Sequence, residues 1–351
     1  MPGGLIFRGE KMAEYVKVAV DAMGGDNAPV EIIKGAVDAI NESKEVQVYL
    51  VGIEDVVKSE LSKYTYPEEQ MVVVNATEVI ETAEPPVMAI RKKKDSSIVV
   101  AMNMVKNGEC DAYVSAGSTG ATLVGGQVIV GRVKGVERPP LAPLMPTLKN
   151  DVLLVDCGAN VDARPSHLVQ FAKMGTIYMR DVMGVENPKV GIVNIGAEEE
   201  KGNALVKETF PLLKNCPDIN FVGSVEARDV PYGAVDVAVC DAFTGNVLLK
   251  TYEGVGGMFM DEMKKVMMSN AKTKIGALLI KKELKNTLKR FSTSEHGGAP
   301  MLGLKGLVVK THGSSHAKEI KNSILQCITF TKQNITDKIH DIISNTDIIE
   351  E

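Results

Sequence analysis

The stretch VKVAVDAMGGDNAPV, residues 16–30, decides the fold. An apolar run rich in valine leads into an acidic, glycine-rich turn, and a proline typical of the first turn of a helix follows. Seven similar apolar runs come later, at residues 46–51, 71–74, 112–114, 152–155, 190–193, 219–222 and 235–239. Segments with helical period separate them, at residues 30–40, 98–105, 118–130, 166–182 and 203–213. This alternation predicts an α/β fold, a Rossmann-like three-layer α/β/α sandwich around a mostly parallel sheet.

The chain changes character after residue 246. Residues 247–291 have helical period and few strand signals, which predicts a protruding helical hairpin. A last strand is expected at 306–310 and a closing helix at 314–343. The expected domain boundaries are an N-terminal extension at 1–15, a single α/β domain at 16–335 that includes the hairpin, and a helix end with a tail at 336–351.

Composition excludes several classes of protein. Forty basic and 45 acidic side chains give a formal charge of −5, which is too mild for a nucleic-acid-binding surface. No apolar run is long enough to span a membrane. Five scattered cysteines without a CxxC pair favour reduced thiols and argue against a structural zinc site. We therefore expect a cytoplasmic protein without a metal site or a nucleic-acid partner.

Five polar turns each follow an apolar run and precede a helical segment. Because ligands of parallel sheets bind outside the carboxyl ends of the strands, these turns are the candidate binding sites. They are residues 21–27, 115–120, 156–160, 194–198 and 241–246.

The first of these turns combines small residues with carboxylates. Gly24 and Gly25 allow the backbone to approach a ligand, and Asp21 and Asp26 add negative charge. The alternative is that Asp26 or Asn27 only caps the next helix.

Ser118, Thr119 and Gly120 stand at the expected start of a helix, where free N–H groups and hydroxyls suit a phosphate. A Ser118 helix cap is the alternative. The segment matches neither a Walker A loop nor the GxGxxG fingerprint, so it gives no support to ATP or NAD.

Two later turns hold candidate catalytic groups. Lys201 could bind phosphate, and Asn194, with Gly196 and Asn203 nearby, could polarise a carbonyl; a solvated charged face is the alternative. In the last turn, Asp241 is the candidate acid or orienting group, and Asn246 is the candidate oxyanion donor. Thr244 is expected to contact the substrate. An Asx turn that opens the next helix explains this last turn equally well.

The remaining candidates are Asn160, as a contact for an anion or for pantetheine, and two histidines in glycine-rich loops. His296 and His312 are expected near the substrate. A metal role for the histidines is weak, because His312 and His316 straddle a loop and a helix start.

Together these turns resemble the phosphate acyltransferase family, the acyl-carrier-protein:phosphate acyltransferases of bacterial phospholipid synthesis. The motifs that carry the resemblance are VAVDAMGGDNAP (18–29), SAGSTGA (115–121), VDCGAN (155–160), NIG (194–196), DAFTGNV (241–247), residues 252–257 and KTHGSS (310–315). The similarity covers roughly residues 16–335. It implies a fold related to phosphotransacetylases and isocitrate-dehydrogenase-like enzymes. The implied partners are inorganic phosphate, an acyl-carrier protein, a second copy of the chain, the cytoplasmic membrane surface and a glycerol-3-phosphate acyltransferase.

A reaction without a cofactor fits these residues. Phosphate attacks the thioester carbonyl, and asparagine or backbone N–H groups stabilise the oxyanion. Asp241 is expected to act as the orienting or acid–base group, Lys201 to neutralise the phosphate, and Asn194 or Asn246 to donate to the oxyanion. The competing hypotheses are a phosphotransacetylase-like enzyme that uses acyl-coenzyme A, and a non-catalytic membrane-associated scaffold.

The hairpin is rich in methionine and lysine, which favours an amphipathic element at a membrane surface. Apolar residues at helical spacing are also typical of a core or a dimer interface. Peripheral membrane association is therefore an expectation to which the family resemblance adds weight.

Overall fold

A computed structural model of the chain describes residues 15–289, 291 and 297–344. The strands in this part are β1 (Val16–Asp21), β2 (Val46–Gly52), β3 (Met71–Asn75), β4 (Ala112–Ser115), β5 (Leu144–Met145), β6 (Val152–Val155), β7 (Lys189–Asn194), β8 (Asn220–Glu226), β9 (Val237–Val239), β10 (Ala299–Met301) and β11 (Leu307–Lys310). The helices are α1 (Val30–Glu42), α2 (Glu54–Leu61), α3 (Pro86–Lys92), α4 (Ser97–Lys106), α5 (Thr119–Gly125), α6 (Pro165–Asp181), α7 (Ala204–Lys214), α8 (Ala242–Met268), α9 (Ala271–Lys289), α10 (Ala317–Lys332) and α11 (Ile335–Ser344). The mixed α/β class is confirmed.

The strands form two sheets, which the alternation of elements did not reveal. The first sheet has the order β10-β11-β4-β1-β2-β3, and the second has the order β5-β6-β9-β7-β8. All neighbours are parallel except β10 with β11 and β5 with β6. One hydrophobic cluster contains buried residues of both sheets, including Val18 and Ala112 from the first and Leu153 and Val237 from the second. The sheets therefore share a core.

The first sheet has a topological switch point between β1 and β4. The chain moves outward from β1 through β2 to β3, then returns to place β4 on the other side of β1. At such a point the helices that follow neighbouring strands leave in opposite directions, so a crevice opens at the carboxyl ends. This geometry directs attention to the turns that follow β1 and β4.

Several boundaries differ from the sequence-based expectations. The α5 helix continues as a π-helical segment, Gly126–Val130, rather than as one α-helix to residue 130. The expected closing helix is two helices, because Asn334 adopts a left-handed backbone conformation (φ 51°) between α10 and α11. The elements α2, α3, β5 and β10 were not predicted.

The hairpin consists of α8 and α9 and starts at Ala242, earlier than expected. Most of its large apolar side chains beyond Tyr252 are exposed, including Met258, Phe259, Leu278 and Leu279. In the described part of the chain, no helix is both long and apolar enough to cross a membrane.

Candidate active site

Three neighbouring strands end in polar side chains at the switch point. Lys310 at the end of β11 pairs in register with Ser115 at the end of β4. Val114 of β4 pairs with Val20 of β1, one residue before Asp21. Lys310, Ser115 and Asp21 therefore stand side by side at the carboxyl edge of the first sheet.

Asp21 holds the turns after β1 and β4 together. Its Oδ2 accepts a hydrogen bond from Ser115 Oγ at 2.7 Å, and its Oδ1 accepts one from Met23 N–H at 3.2 Å. Ser115 Oγ in turn accepts the Gly117 N–H at 2.8 Å. The residue is fully buried, and this burial raises the pKa of the Asp21 carboxyl above its ordinary value.

Gly24 is required by this arrangement. A Cβ at position 24 would lie 2.2 Å from Asp21 Oδ2 and 2.8 Å from the Gly117 Cα atom. The backbone atom cannot move aside as a flexible side chain would. Glycine is therefore required at position 24 by the close contact between the turns that follow β1 and β4.

The loop after β11, residues 311–316, joins the same unit. Asp26 N–H donates to Gly313 O at 2.8 Å, and the Asn27 amide donates to Ser314 O at 3.1 Å and to Ser315 O at 3.2 Å. Asn27 therefore binds a neighbouring loop, and the alternative of a helix cap at Asp26 or Asn27 is wrong, because Pro29 is the N-cap of α1 and no side chain caps this helix.

His312 is exposed in this loop, and its Nδ1 lies 2.8 Å from Ser314 Oγ. Thr311 N–H donates to Ser115 O at 2.9 Å, which ties the loop to β4. His296, the other histidine expected near the substrate, lies outside the described residues.

Lys310 is a candidate functional residue to which the sequence alone assigned no role. It is only 7% exposed, its Nζ donates to Thr311 O, and it forms no salt bridge with any residue that the structure describes. Burial lowers the pKa of the Lys310 ammonium to about 8, although Asp21 and Asp26 raise it. A lysine that closes an otherwise apolar strand at the ligand-binding edge was the available signal.

The second sheet contributes a tightly bonded turn after β6. The two carboxylate oxygens of Asp156 accept N–H groups of Leu141, Gly158, Ala159 and Asn160 at 2.8–3.2 Å. The Asn160 amide donates to Asp156 Oδ2 at 2.7 Å and to Pro139 O at 3.1 Å. Both amide hydrogens of Asn160 are therefore used within the protein, one by the turn itself and one by the loop that contains Pro139.

The start of α8 packs on this turn. A Cβ at Gly245 would lie 1.9 Å from Asp156 O, so the first turn of the helix touches the backbone directly. Asp241 caps the helix: its carboxylate accepts Thr244 N–H at 2.9 Å and Thr244 Oγ1 at 2.7 Å. The helix-opening role that was the alternative for Asp241 and Thr244 is present, as an N-cap of α8 rather than as an Asx turn.

Asn246, by contrast, is exposed and keeps a free donor. Its amide donates to Cys157 O at 3.1 Å. The second amide hydrogen has no acceptor among the described residues. Asn246 is thus available to a ligand without first breaking a hydrogen bond.

Lys250 lies on α8, is exposed and pairs with Glu253 at 2.8 Å. Its positive charge opposes the burial that raises the pKa of Cys157, and it adds to the burial that lowers the pKa of Lys310.

The turn after β7 is bonded mainly to itself. The Asn194 amide donates to Lys201 O and to Ser224 Oγ, both at 3.1 Å, and its Oδ1 accepts Ile195 N–H at 2.8 Å. Lys201 is exposed and pairs with Glu198 at 2.8 Å. Asn203 caps α7 by accepting Val206 N–H at 2.9 Å.

Ser118 likewise caps its helix, because its hydroxyl accepts Ala121 N–H at 3.3 Å. The neighbouring Thr119 is exposed, and a Cβ at Gly120 would meet the Pro86 ring. Ser118 is thus the N-cap of α5, which was the alternative to a phosphate contact.

Two buried thiols adjoin the edge of the second sheet. Burial raises the pKa of Cys157 and of Cys240 far above the ordinary value. Raised pKa values disfavour a nucleophilic thiolate at both positions.

The fold places the chain in the phosphotransacetylase-like class of α/β proteins. A phosphotransacetylase from Streptococcus pyogenes superposes with a TM-score of 0.60 over 91% of this chain and 94% of that one, at 16% identity. A phosphotransacetylase from Staphylococcus aureus gives a TM-score of 0.59 with the same coverage, at 17% identity. At such low identity the likeness shows the fold alone.

Sequence similarity then gives the family. Residues 16–338 match the family model described as "fatty acid synthesis protein". The phosphate acyltransferase of Clostridium beijerinckii is 51% identical over 331 residues, 94% of this chain and 99% of the relative. That of Clostridium tetani is 48% identical over 334 residues, 95% and 100% of the two chains. The chain belongs to the phosphate acyltransferase family.

Proposed function

We propose that the protein transfers a long-chain fatty acyl group from the thioester of an acyl-carrier protein to inorganic phosphate. The product is an acyl phosphate for phosphatidic acid synthesis. Membership of the phosphate acyltransferase family supports acyl transfer to phosphate. The structural observation that carries the proposal is the polar carboxyl edge of the first sheet, where Lys310, Ser115 and Asp21 stand side by side at the switch point.

The reaction needs no covalent enzyme intermediate. A phosphate oxygen attacks the thioester carbonyl carbon, and the electron pair of the C=O bond moves to oxygen. When this oxyanion collapses, the C–S bond breaks and the carrier thiolate leaves with the bonding electrons, then takes a proton. The raised pKa values of Cys157 and Cys240 agree with direct attack by phosphate.

Asn246 is the best placed of the expected oxyanion donors, because it is exposed and retains a free amide hydrogen. Asp241, at the N-cap of the same helix, is fixed by its hydrogen bonds to Thr244. In this proposal it is the orienting or acid–base group. A direct role for Asn194 requires the loss of a hydrogen bond to Lys201 O or Ser224 Oγ. Lys201 has to leave Glu198 before it can neutralise a phosphate.

The hairpin supplies the surface for peripheral attachment to the cytoplasmic membrane. On α9, Ile275, Leu278 and Leu279 are 62–78% exposed. The same helix carries six lysines, Lys272, Lys274, Lys281, Lys282, Lys285 and Lys289. Exposed apolar side chains among lysines favour binding to anionic lipid. A homodimer and contact with a glycerol-3-phosphate acyltransferase complete the proposed assembly.

Vesicle flotation tests the membrane proposal. The wild-type protein is expected to float with anionic vesicles, and a triple serine variant at Ile275, Leu278 and Leu279 to remain in the soluble fraction. Equal flotation of both proteins would contradict this role of the hairpin. Sedimentation of both proteins without lipid separates loss of membrane binding from loss of the dimer.

One assay tests the central reaction. The protein is incubated with acyl-carrier-protein thioester, with and without phosphate, and free carrier thiol and hydroxylamine-trappable acyl phosphate are measured. Phosphate-dependent formation of both products is expected. Equal thiol release without phosphate would identify a thioesterase instead. Acyl-coenzyme A as an alternative donor tests the phosphotransacetylase-like hypothesis, and absence of turnover with either donor would favour a scaffold.

A further inference from the structure

Lys310 is a buried cation without a counterion among residues 15–289, 291 and 297–344. A charged group in the interior is normally paired with an opposite charge, because leaving it unpaired is energetically costly. Its Nζ donates to the Thr311 carbonyl, but no described carboxylate forms a salt bridge with it. The ammonium therefore lacks the partner that would compensate for its burial.

The nearby carboxylates do not fill this role. Asp21 is engaged by the Ser115 hydroxyl and by Met23 N–H, while Asp26 acts on Lys310 only as a charge. Lys250, on α8, adds a second positive charge that repels the ammonium. Asp21 and Asp26 thus attract the ammonium only from a distance, and neither forms a salt bridge with it.

The surrounding turns also offer unused donors. Within the described residues, the backbone N–H groups of Gly24, Gly25, His312 and Gly313 donate to no protein acceptor. The two turns that carry them touch, since Asp26 N–H donates to Gly313 O at 2.8 Å. Backbone N–H groups beside a cation are the usual elements of a phosphate site.

We propose that Lys310 and the turns 24–26 and 311–313 bind the phosphate dianion that accepts the acyl group. This inference rests on the proposed function and names the acceptor subsite within it. Lys310 neutralises the phosphate, and the N–H groups orient its oxygens toward the thioester held near Asn246. The bound phosphate serves as the counterion that the Lys310 ammonium otherwise lacks.

Binding of inorganic phosphate to the protein alone is the direct test. By isothermal titration calorimetry, Lys310→Met should weaken phosphate binding about 30-fold or more, since one partner of a buried charge pair is removed. Lys305→Met is the matched control, because Lys305 is exposed at the opposite end of β11. The control should bind phosphate as the wild type does.

The pH dependence of anion affinity shows whether Lys310 acts through its charge or through packing. Lys310 is protonated below a pKa of about 8, so anion affinity should fall as pH rises through this value. Asp21, Asp26 and Lys250 act on the same ammonium. Sulfate is the appropriate probe, because its charge does not change over this range. Lys310→Arg should keep anion binding and remove the decline.

The outcomes are distinct. If Lys310→Met binds phosphate normally, the inference is wrong, even where turnover is lost. If the variant loses affinity only for the acyl carrier, the ammonium serves the carrier's phosphodiester, and the inference is again wrong. If the wild-type protein binds phosphate but its release of carrier thiol does not depend on it, the proposed function fails while the anion site stands.

Discussion

The turns after β1 and β7 are similar in sequence but differently held. Each follows a buried strand, contains glycine and acidic residues, and has a lysine associated with it. The turn at residues 21–27 is bonded to two other loops through Asp21, Asp26 and Asn27. The turn at residues 194–203 is bonded largely to itself, and its Lys201 pairs with Glu198 at the surface. Polar residues at a strand end become a binding site when neighbouring strands leave some of their groups unpaired.

The largest difference is expected when each turn receives a methyl group. In Gly24→Ala the new Cβ meets backbone at Gly117, so the fold should lose about 3 kcal/mol and turnover about 100-fold or more. In Gly196→Ala the Cβ meets Lys201 Cδ at 2.5 Å, and this flexible side chain can move. Denaturant unfolding and steady-state turnover measure both. Equal losses of stability and turnover in Gly24→Ala and Gly196→Ala would contradict the proposed difference between the two turns.

The next effect concerns stability. The Lys310 pKa lies near 8 in the folded protein and near 10.5 in the unfolded chain, so the unfolded chain binds the extra proton between these values. The lysine therefore destabilises the fold below pH 8, and this penalty disappears as pH rises toward 10.5. Lys310→Met should increase the free energy of unfolding by about 3 kcal/mol at pH 7.

Urea unfolding of wild type and Lys310→Met at pH 7 and at pH 10 measures this effect. The advantage of the variant should be large at pH 7 and small at pH 10. A variant less stable than the wild type at pH 7 would mean that Lys310 has a counterion in the folded protein.

Asn246→Ala is expected to lower kcat about 100-fold with little change in the KM for phosphate, because one oxyanion donor is lost. Asn41→Ala is the matched control. Asn41 is also exposed and donates one hydrogen bond of 3.1 Å to a backbone carbonyl, but it lies on α1. Turnover within threefold of wild type in Asn246→Ala would exclude Asn246 from this role.

The smallest effect is expected for Lys201→Met. Because Lys201 already pairs with Glu198 in solvent, its removal should lower kcat/KM for phosphate by less than about 10-fold. The same measurement on Lys310→Met provides the comparison. A larger loss in Lys201→Met would transfer the phosphate-binding role to the turn after β7.

The sequence predicted most strands and most helices because buried strands and amphipathic helices have different periods. It did not predict the division into two sheets, since strand pairing depends on residues far apart in the chain. The pairing of β11 with β4 joins residues 307–310 to residues 112–115, and no local pattern contains this information.

The candidate site was predicted at the level of turns, and much less at the level of side chains. Asn160 and Asn246 are the same residue type in similar turns, yet Asn160 donates both amide hydrogens to protein acceptors and Asn246 keeps one free. Lys310 and Lys201 also differ through their neighbours, because Lys310 is buried without a salt bridge among the described residues and Lys201 is exposed and paired with Glu198. These differences arise from tertiary neighbours, which a single sequence does not display.

The α8 helix has a mechanical consequence. It is one continuous helix of 27 residues, about 40 Å long, with Asn246 near its first turn and the exposed hairpin at its other end. Gly245 pins the first end against the Asp156 carbonyl. The helix therefore links the exposed hairpin rigidly to the turn that holds Asn246. A small tilt imposed at the hairpin tip would change the angle at which Asn246 meets its substrate.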